Sequence, residues 1–205
     1  MSVFFWNTFA TRYARQAIAN PDAYDTKLEA TRKLLTADSQ VLEIGCGTGS
    51  TALLHAPRVA RIRAMDTSPR MVEIATAKAT AQGVTNATFE VGTVFDVTDG
   101  PYDVLLALNV LHLVPDLSAT LQRCAKLLKP GGVLVASTAC ITGGWESWLV
   151  PFPAALGLLP KVQFFNKEEL LAAHESAGLS VESCTFPGSP TGAFTIARAP
   201  GDHAQ

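Results

Sequence analysis

Three glycines at alternate positions follow a short apolar run, in the segment VLEIGCGTGSTAL over residues 41–53. Because glycine has no Cβ, Gly45, Gly47 and Gly49 let the backbone of a turn approach a bound molecule closely. Asp66 ends the next apolar run, where an acidic side chain can accept hydrogen bonds from ribose hydroxyls. The two features together predict a site for a nucleoside-containing ligand at the C-terminal ends of two strands.

The residues around the glycines favour a cationic ligand over a pyrophosphate. The spacing is G-x-G-x-G, and Ser50 stands where the dinucleotide pattern G-x-G-x-x-G requires a glycine. Glu43, two residues before the first glycine, would repel a pyrophosphate and attract an ammonium or sulfonium group. The alternatives are a nicotinamide-binding turn and a turn whose glycines serve folding alone.

The elements that position these residues alternate along the chain. Apolar spacing predicts N-terminal helices over 3–18 and 22–35, and strands over 41–44, 59–66, 87–91, 102–108, 133–138, 179–186 and 193–197. Further helices are predicted from about 48, over 69–82, over 117–128 and over 167–177. The fold class is therefore α/β, with a doubly wound, mostly parallel seven-stranded sheet. The last two strands have no helix between them and should form an antiparallel edge.

Composition excludes several classes of function. The chain has 205 residues, 48% of them hydrophobic, and a net charge of −2 without a basic cluster, so nucleic acid is not an expected partner. The N-terminus lacks the pattern of a secretory signal, and the apolar stretch 147–160 contains three prolines and is shorter than the roughly 18 residues of a membrane span. We therefore expect a cytoplasmic protein without stable membrane insertion. No metal site is expected, and the four scattered cysteines are expected to be buried thiols.

The chain resembles the class I S-adenosylmethionine-dependent methyltransferases, especially the bacterial small-molecule branch similar to quinone-biosynthesis methyltransferases. The resemblance covers the chain from about residue 41 to the end, and the stretches that carry it occur in the family's order: VLEIGCGTG, MDTSPRMVEIA, YDVLLALNVLHLV, LLKPGGVLVAS and FFNKEELLAAHESAGL. It implies a Rossmann-like fold in a single domain. Its parts would be a helical cap (1–38), a cofactor-binding core (39–140), a substrate lid (141–166) and a C-terminal helix with a strand pair (167–205).

The resemblance also implies S-adenosyl-L-methionine as cofactor, S-adenosyl-L-homocysteine as product, and a role for each matching residue. The glycines would line the methionine part, Asp66 would bind the ribose, Thr67 and Met71 would lie beside the adenine, and the carbonyl of Asn109 would face the ammonium group. The expected cofactor-binding residues are Tyr13, Glu43, Gly45, Cys46, Gly47, Gly49, Asp66, Thr67, Met71, Gly92, Thr93, Val94 and Asn109.

One position departs from the family pattern. Relatives commonly place an aspartate after the third strand, where it accepts a hydrogen bond from the adenine amino group. This sequence has Gly92, Thr93 and Val94 there, with Asp96 later. The Thr93 hydroxyl and the Val94 backbone N–H are expected to take over the contacts with the ring.

The acceptor side offers one candidate base. His112 follows the fourth strand and has a suitable pKa, although packing beneath the sheet edge is the alternative role for it. The other histidines, His55, His174 and His203, are expected at the surface. Apolar and aromatic side chains in the N-terminal helices and in the insertion 143–165 suggest a lipophilic or aromatic acceptor. The expected substrate-binding residues are Trp6, His112, Trp145, Trp148 and Phe152.

The sequence thus predicts an enzyme that methylates a small molecule. A nicotinamide-dependent oxidoreductase and a non-catalytic cofactor-binding protein of the same fold are the alternatives. The insertion is predicted to cover the acceptor, and a membrane-touching surface or a homodimer interface are its alternative roles.

Overall fold

A computed structural model describes residues 3–140 and 162–201. Two helices come first, α1 (Val3–Arg15) and α2 (Pro21–Arg32). The following elements are β1 (Gln40–Ile44), α3 (Ser50–His55), β2 (Arg61–Asp66), α4 (Pro69–Gln82), β3 (Ala87–Val91), β4 (Tyr102–Leu108), α5 (Leu117–Leu127), β5 (Leu128–Ala139), α6 (Lys167–Ser176), β6 (Ser180–Thr185) and β7 (Gly192–Arg198). The order matches the predicted alternation, and the bounds of β3 and β4 agree with the prediction to the residue.

Capping residues define where the helices begin and end. The Ser68 hydroxyl accepts a hydrogen bond from Met71 N at 3.2 Å, and Pro69 occupies the first turn of α4. Gly83, in the left-handed conformation at φ 66°, ends the same helix. Asn166 and Glu169 form a reciprocal capping box at the start of α6. These signals are short in sequence, which is why they could be found without a structure.

The seven strands form one sheet in the order β3-β2-β1-β4-β5-β7-β6. All neighbours among the first five are parallel, and β7 is antiparallel to both β5 and β6. The predicted fold class, a mostly parallel doubly wound sheet with an antiparallel edge, is confirmed. Because β1 and β4 are neighbours in the sheet but distant in sequence, the crevice between their C-terminal ends is the expected position for a ligand.

Helices cover both faces of the sheet and bury its centre. Strand β4 is almost wholly apolar, and Val104, Leu105, Leu106 and Ala107 are all 2% exposed or less. Alternate residues of the central strands contribute to two separate clusters, one on each face. The rigid centre fixes the strand ends, and hence the residues that follow them, relative to one another.

The N-terminal helices lie across the C-terminal edge of the sheet. Asn7 on α1 accepts hydrogen bonds from Ser68 Oγ at 2.6 Å and from Arg70 N at 3.3 Å, at the beginning of α4. The Asn20 side chain caps α2 through Ala23 N and donates to the carbonyl of Gly188 in the turn between β6 and β7. These contacts hold α1 and α2 over the glycine-rich turn.

The structure corrects two expectations. His55 and His174 were expected at the surface, but both are fully buried, because the inward face of each short helix carries the histidine. The strand expected over 133–138 begins at Leu128, directly after α5, and includes the Pro130-Gly131-Gly132 turn with a register irregularity opposite Tyr102 and Val104.

Three of the four cysteines are buried, as expected, and all four are free thiols; Cys184 is half-buried. Within residues 3–140 and 162–201, no helix has the length and apolarity required to span a membrane.

We expect the stability of the protein to decrease on mild acidification because of His55. Neither ring nitrogen has a hydrogen-bond partner among the described residues, and burial lowers the His55 pKa to about 4, with Arg32 and Arg58 adding to the effect. The folded-state pKa of His55 therefore lies below its unfolded value of 6.5. For such a group, the contribution to folding stability is fully present only above the unfolded pKa. That stability is lost as the pH falls towards 4. The expected loss of folding stability from this group by pH 5 is about 2 kcal/mol.

Urea unfolding of the wild type and of His55→Leu between pH 7 and 5 measures this loss. The variant should show a shallower pH dependence, and parallel profiles would contradict the assignment.

Candidate functional site

A cavity of about 540 Å³ opens at the C-terminal ends of β1 and β4, beneath the N-terminal helices. Its floor is formed by the glycine-rich turn and by residues at the C-terminal ends of β2, β4 and β5. Its walls come from α1, α2, the segment between them and the turn between β6 and β7. Among the predicted site residues, Trp6, Tyr13, Glu43, Gly45, Cys46, Gly47, Asp66, Met71 and Asn109 line it.

The glycine-rich turn needs glycine for two different reasons. Gly45, Gly47 and Gly49 all have positive φ, between 53° and 73°. A Cβ at Gly45 would overlap the Val110 side chain, so the turn there packs directly against the segment after β4. A Cβ at Gly47 would meet only the Tyr13 ring, at 3.9 Å. Gly47 therefore leaves its space to the cavity, as a close approach of backbone to ligand requires.

Asp66 connects the end of β2 to the glycine-rich turn. Its Oδ2 accepts a hydrogen bond from Gly47 N at 2.9 Å and its Oδ1 accepts one from Ser68 N at 2.8 Å. Burial raises the pKa of this carboxyl, and backbone N–H groups, including that of Thr67, act in the opposite direction. A carboxylate has about four acceptor positions, and the backbone N–H groups of Gly47, Thr67 and Ser68 use three of them, so Asp66 can hold the turn and still accept from a ligand hydroxyl.

Glu43 is buried in the cavity floor without full compensation. Its side chain is 2% exposed, and Oε2 has no hydrogen-bond partner among the described residues. Burial, and then the charge of Asp66, raise the Glu43 pKa to about 8. A buried carboxylate beside another acid is stabilised only by a cation or a strong donor. The ammonium group at the methionine end of S-adenosylmethionine fits this requirement. The buried Glu43 carboxyl therefore suits the expected cofactor.

Most of the residues predicted to contact the adenine lie outside the lining of the cavity. Met71 is 2% exposed and lines the cavity, whereas Thr67, Gly92, Thr93 and Val94 do not line it. Gly92 N donates to the carbonyl of Asp66 at 3.0 Å, which keeps this segment beside β2. The contacts expected there with the adenine remain predictions.

Thr93, where the sequence departs from the family pattern, belongs to a locally hydrogen-bonded turn. Thr93 Oγ1 and Thr93 N both donate to Asp96 Oδ2 at 2.8 Å, and Thr93 Oγ1 accepts from Phe95 N at 3.3 Å. These hydrogen bonds lower the Asp96 pKa. Asp96 thus folds back onto Thr93 in a reciprocal capping box, and the Thr93 hydroxyl is engaged within this turn.

Asn109 turns the backbone at the end of β4. With φ at 56°, it is the only non-glycine residue with positive φ among the described residues, and asparagine tolerates this conformation better than most residues. Its N–H donates to the carbonyl of Ser137 at 2.6 Å, and its Oδ1 accepts from Ser137 Oγ at 3.1 Å. The turn is thus held from both backbone and side chain, beside the glycines of the neighbouring strand.

Two aromatic residues of α1 reach the cavity. The rings of Trp6 and Tyr13 are in edge contact, with centroids 6.0 Å apart. A Cβ placed on Gly47 would lie 3.9 Å from the Tyr13 ring, although 47% of Tyr13 is exposed to solvent. The structure therefore places Tyr13 beside the glycine-rich turn, and its contact with the cofactor stays a prediction.

His112 lies beside the cavity and outside its lining, as far as the described residues define it. Its Nδ1 is 3.1 Å from Thr138 Oγ1, and Ala139 N donates to the same nitrogen at 3.5 Å. Burial lowers the His112 pKa and so favours the neutral imidazole. With Ala139 N as donor to Nδ1, the ring proton lies on Nε2, and Nδ1 is the nitrogen that can take up a proton. Trp145, Trp148 and Phe152 belong to the part of the chain outside the described residues.

Several lining residues were not predicted from the sequence. They are Tyr24 and Lys27 on α2, Thr51 on α3, Ser137 at the end of β5, and the turn 187–189. Tyr24 Oη is 3.1 Å from Thr51 Oγ1. Helical periodicity marks only the apolar face of α2, and nothing in the sequence indicates that its polar face covers a cavity. The segment PGSPTG is typical of a turn, but the sequence does not show that this turn contacts Asn20 or lines a cavity.

Comparisons with known proteins agree with this geometry. A family model described as a methyltransferase domain matches residues 13–184. Ubiquinone biosynthesis O-methyltransferase of Xanthomonas euvesicatoria pv. vesicatoria (strain 85-10) is 33% identical over 159 residues, 73% of this chain and 66% of that protein. The protein of the same name from Idiomarina loihiensis (strain ATCC BAA-735 / DSM 15497 / L2-TR) is 32% identical over 150 residues, 68% of this chain and 61% of that protein. The matches span just under two thirds of these curated relatives.

A solved structure shares the fold. The S-adenosylmethionine-dependent methyltransferase from Mesorhizobium loti superposes with a TM-score of 0.71 at 19% identity, over 87% of this chain and 98% of that one. At this level of identity the likeness concerns the fold alone.

We expect the binding of S-adenosylhomocysteine to release protons between pH 6.5 and 8. Below a pKa of about 8 the Glu43 carboxyl is protonated in the free protein, and a neighbouring ammonium group favours its ionised form. Affinity should therefore increase with pH, on the order of tenfold across this range. Calorimetry in two buffers with different ionisation enthalpies measures the proton count.

Glu43→Gln provides the matched control for this linkage. The variant should bind more weakly and release no protons, and 5′-methylthioadenosine, which lacks the ammonium group, should bind the wild type without net proton release. Proton uptake by the wild type, or a pH-independent affinity, would contradict the assignment.

Proposed function

The chain belongs to the S-adenosylmethionine-dependent methyltransferases, and from this premise we propose that it methylates an oxygen atom of a small, lipophilic or aromatic acceptor. The observation that carries the proposal is the buried Glu43 carboxyl with an unpartnered oxygen, beside Asp66 and the open face of Gly47. The same set argues against a pyrophosphate-bearing cofactor, because a phosphate group would raise the Glu43 pKa further and would not stabilise its ionised form.

When bound, S-adenosylmethionine would supply a methyl group on a sulfonium, and in-line attack of the acceptor oxygen on the methyl carbon would break the carbon–sulfur bond and release S-adenosylhomocysteine. The residues of this chain hold the two reactants and exclude water. Glu43, the glycine-rich turn and Asn109 would hold the methionine end, and Asp66 would hold the ribose. Trp6 and Tyr13 cover the turn from above. Most of the catalytic effect would then come from alignment rather than from a chemical group on the protein.

Two observations support the proposed acceptor class. Apolar side chains of Ile18, Leu28 and Val110 line the cavity together with Trp6 and Tyr13, which suits an aromatic or lipophilic molecule. The curated relatives are named as O-methyltransferases of ubiquinone biosynthesis. A hydroxyl acceptor must lose a proton on methylation, and this gives His112 its proposed role as base.

Incubation with S-adenosylmethionine labelled in the methyl group, together with a small-molecule extract and a panel of phenols, tests the proposal. We expect label in an ether methyl group of one small molecule and stoichiometric formation of S-adenosylhomocysteine. Asp66→Ala should abolish labelling because it removes both the ribose acceptor and the hydrogen bond to Gly47 N. Calorimetric binding of S-adenosylhomocysteine without label in any small molecule would refute the catalytic proposal, and label in protein or nucleic acid would refute the acceptor class.

If His112 is the base, His112→Ala should lower turnover by about 10²-fold and leave the affinity for S-adenosylhomocysteine unchanged. The loss should be smaller for acceptors whose hydroxyl is already ionised at the assay pH, because they have no proton to give. Thr138→Val, which removes the 3.1 Å contact to Nδ1, serves as the control for ring orientation. Equal rates for wild type and His112→Ala would remove this residue from the mechanism.

A further inference from the structure

Lys27 extends from α2 to the far side of the cavity. Its Nζ donates a hydrogen bond to Ser137 Oγ at 3.1 Å, and Ser137 Oγ donates to Asn109 Oδ1 at 3.1 Å. Ser137 is 2% exposed, and all three residues line the cavity. The ammonium group is thus anchored over the ends of β4 and β5.

The charge of Lys27 has no counterpart among the described residues. None of the ion pairs found between residues 3–140 and 162–201 includes Lys27, whereas Lys129 pairs with Asp103. Burial lowers the Lys27 pKa. An ammonium group has three donors, and Ser137 is the partner found for one of them. A half-buried cation with spare donors is stabilised by a ligand that carries a negative charge.

Lys27 and Glu43 lie at different ends of the cavity. Strand order places β4 between β1 and β5, so the end of β5 is roughly 10 Å from the end of β1 at normal strand spacing. Leu28 and the turn 187–189 also line the cavity, and none of them is a predicted cofactor contact.

We propose that Lys27 and Ser137 form a binding position for a negatively charged oxygen, a carboxylate or a phenolate, of a molecule bound in this cavity. The proposal rests on the proposed function, since it assigns the oxygen to one of the two reactants. Its position beyond β4, away from Glu43 and Asp66, favours the acceptor. The α-carboxylate of the cofactor is the second source of the same chemistry, and the experiment distinguishes the two.

The test compares the wild type with Lys27→Met, which keeps the length of the side chain and removes its charge. Protein saturated with S-adenosylhomocysteine is titrated with benzoate and with the neutral benzamide, and affinities are measured by ligand-observed NMR. Affinities for S-adenosylhomocysteine and for 5′-methylthioadenosine are measured by calorimetry on the protein alone. We expect the wild type to prefer benzoate by about tenfold or more, and Lys27→Met and Ser137→Ala to lose the preference.

Lys27→Arg should retain the preference, and Lys33→Met, at the exposed C-terminal end of the same helix, should behave as the wild type. If Lys27→Met instead weakens S-adenosylhomocysteine but leaves 5′-methylthioadenosine unchanged, the oxygen belongs to the cofactor carboxylate, and the anion site stands. An unchanged benzoate preference together with an unchanged ratio of the two nucleoside affinities would overturn the proposal. An equal loss of affinity for S-adenosylhomocysteine and 5′-methylthioadenosine in Lys27→Met would also overturn the proposal. Absence of nucleoside binding by the wild type would instead refute the proposed function.

Discussion

The site depends on one electrostatic constraint, the burial of two carboxyl groups, Glu43 and Asp66, at the C-terminal ends of adjacent strands. Asp66 is compensated by backbone N–H groups that arrive from the glycine-rich turn and from the start of α4. Glu43 is not, and its pKa of about 8 keeps it protonated near neutral pH in the free protein. A cationic ligand removes this penalty, so the binding energy for such a ligand is built into the fold.

The rest of the architecture serves to place these two groups. The register Glu43↔Ala64 and Ile44↔Met65 brings the end of β1 level with the end of β2, and the hydrogen bond from Cys46 N to the Met65 carbonyl continues the pairing by one step. The glycine-rich turn can then fold back so that Gly47 N reaches Asp66. The hydrogen bonds of Asn7 to the start of α4 bring α1 over the same turn. A change in any of these contacts would shift the acids relative to the cavity that they face.

Sequence reasoning found the features that depend on local signals. The glycine-rich turn, Glu43, Asp66, the Ser68 cap and the antiparallel last strands follow from spacing and turn chemistry, and the structure shows each turn, cap and strand pair in its place. It did not find Lys27, Tyr24, Ser137 or the turn 187–189, because their role arises from contacts between elements distant in sequence. The Asn20 side chain and Gly188 are in contact across 168 positions. The misplacement of His55 has the same origin, since a six-residue helix is too short for its periodicity to show which face is buried.

The distribution of charge inside the cavity has a consequence for the orientation of its ligands. The floor below the glycine-rich turn contains Glu43 and Asp66, while the position above β5 carries the ammonium group of Lys27, which forms no ion pair with residues 3–140 or 162–201. A cationic cofactor and an acceptor with an ionised oxygen would each have a low-energy orientation, and exchanging them would place like charges together at both ends. Between the two lies the backbone turn at Asn109, held to Ser137 by two hydrogen bonds. Because Ser137 contacts both Lys27 and Asn109, the side chain that anchors the cationic end also supports the turn beside which the two reactants would meet. If Lys27 and Ser137 bind the acceptor as proposed, the fold couples the selection of the acceptor to its alignment with the cofactor.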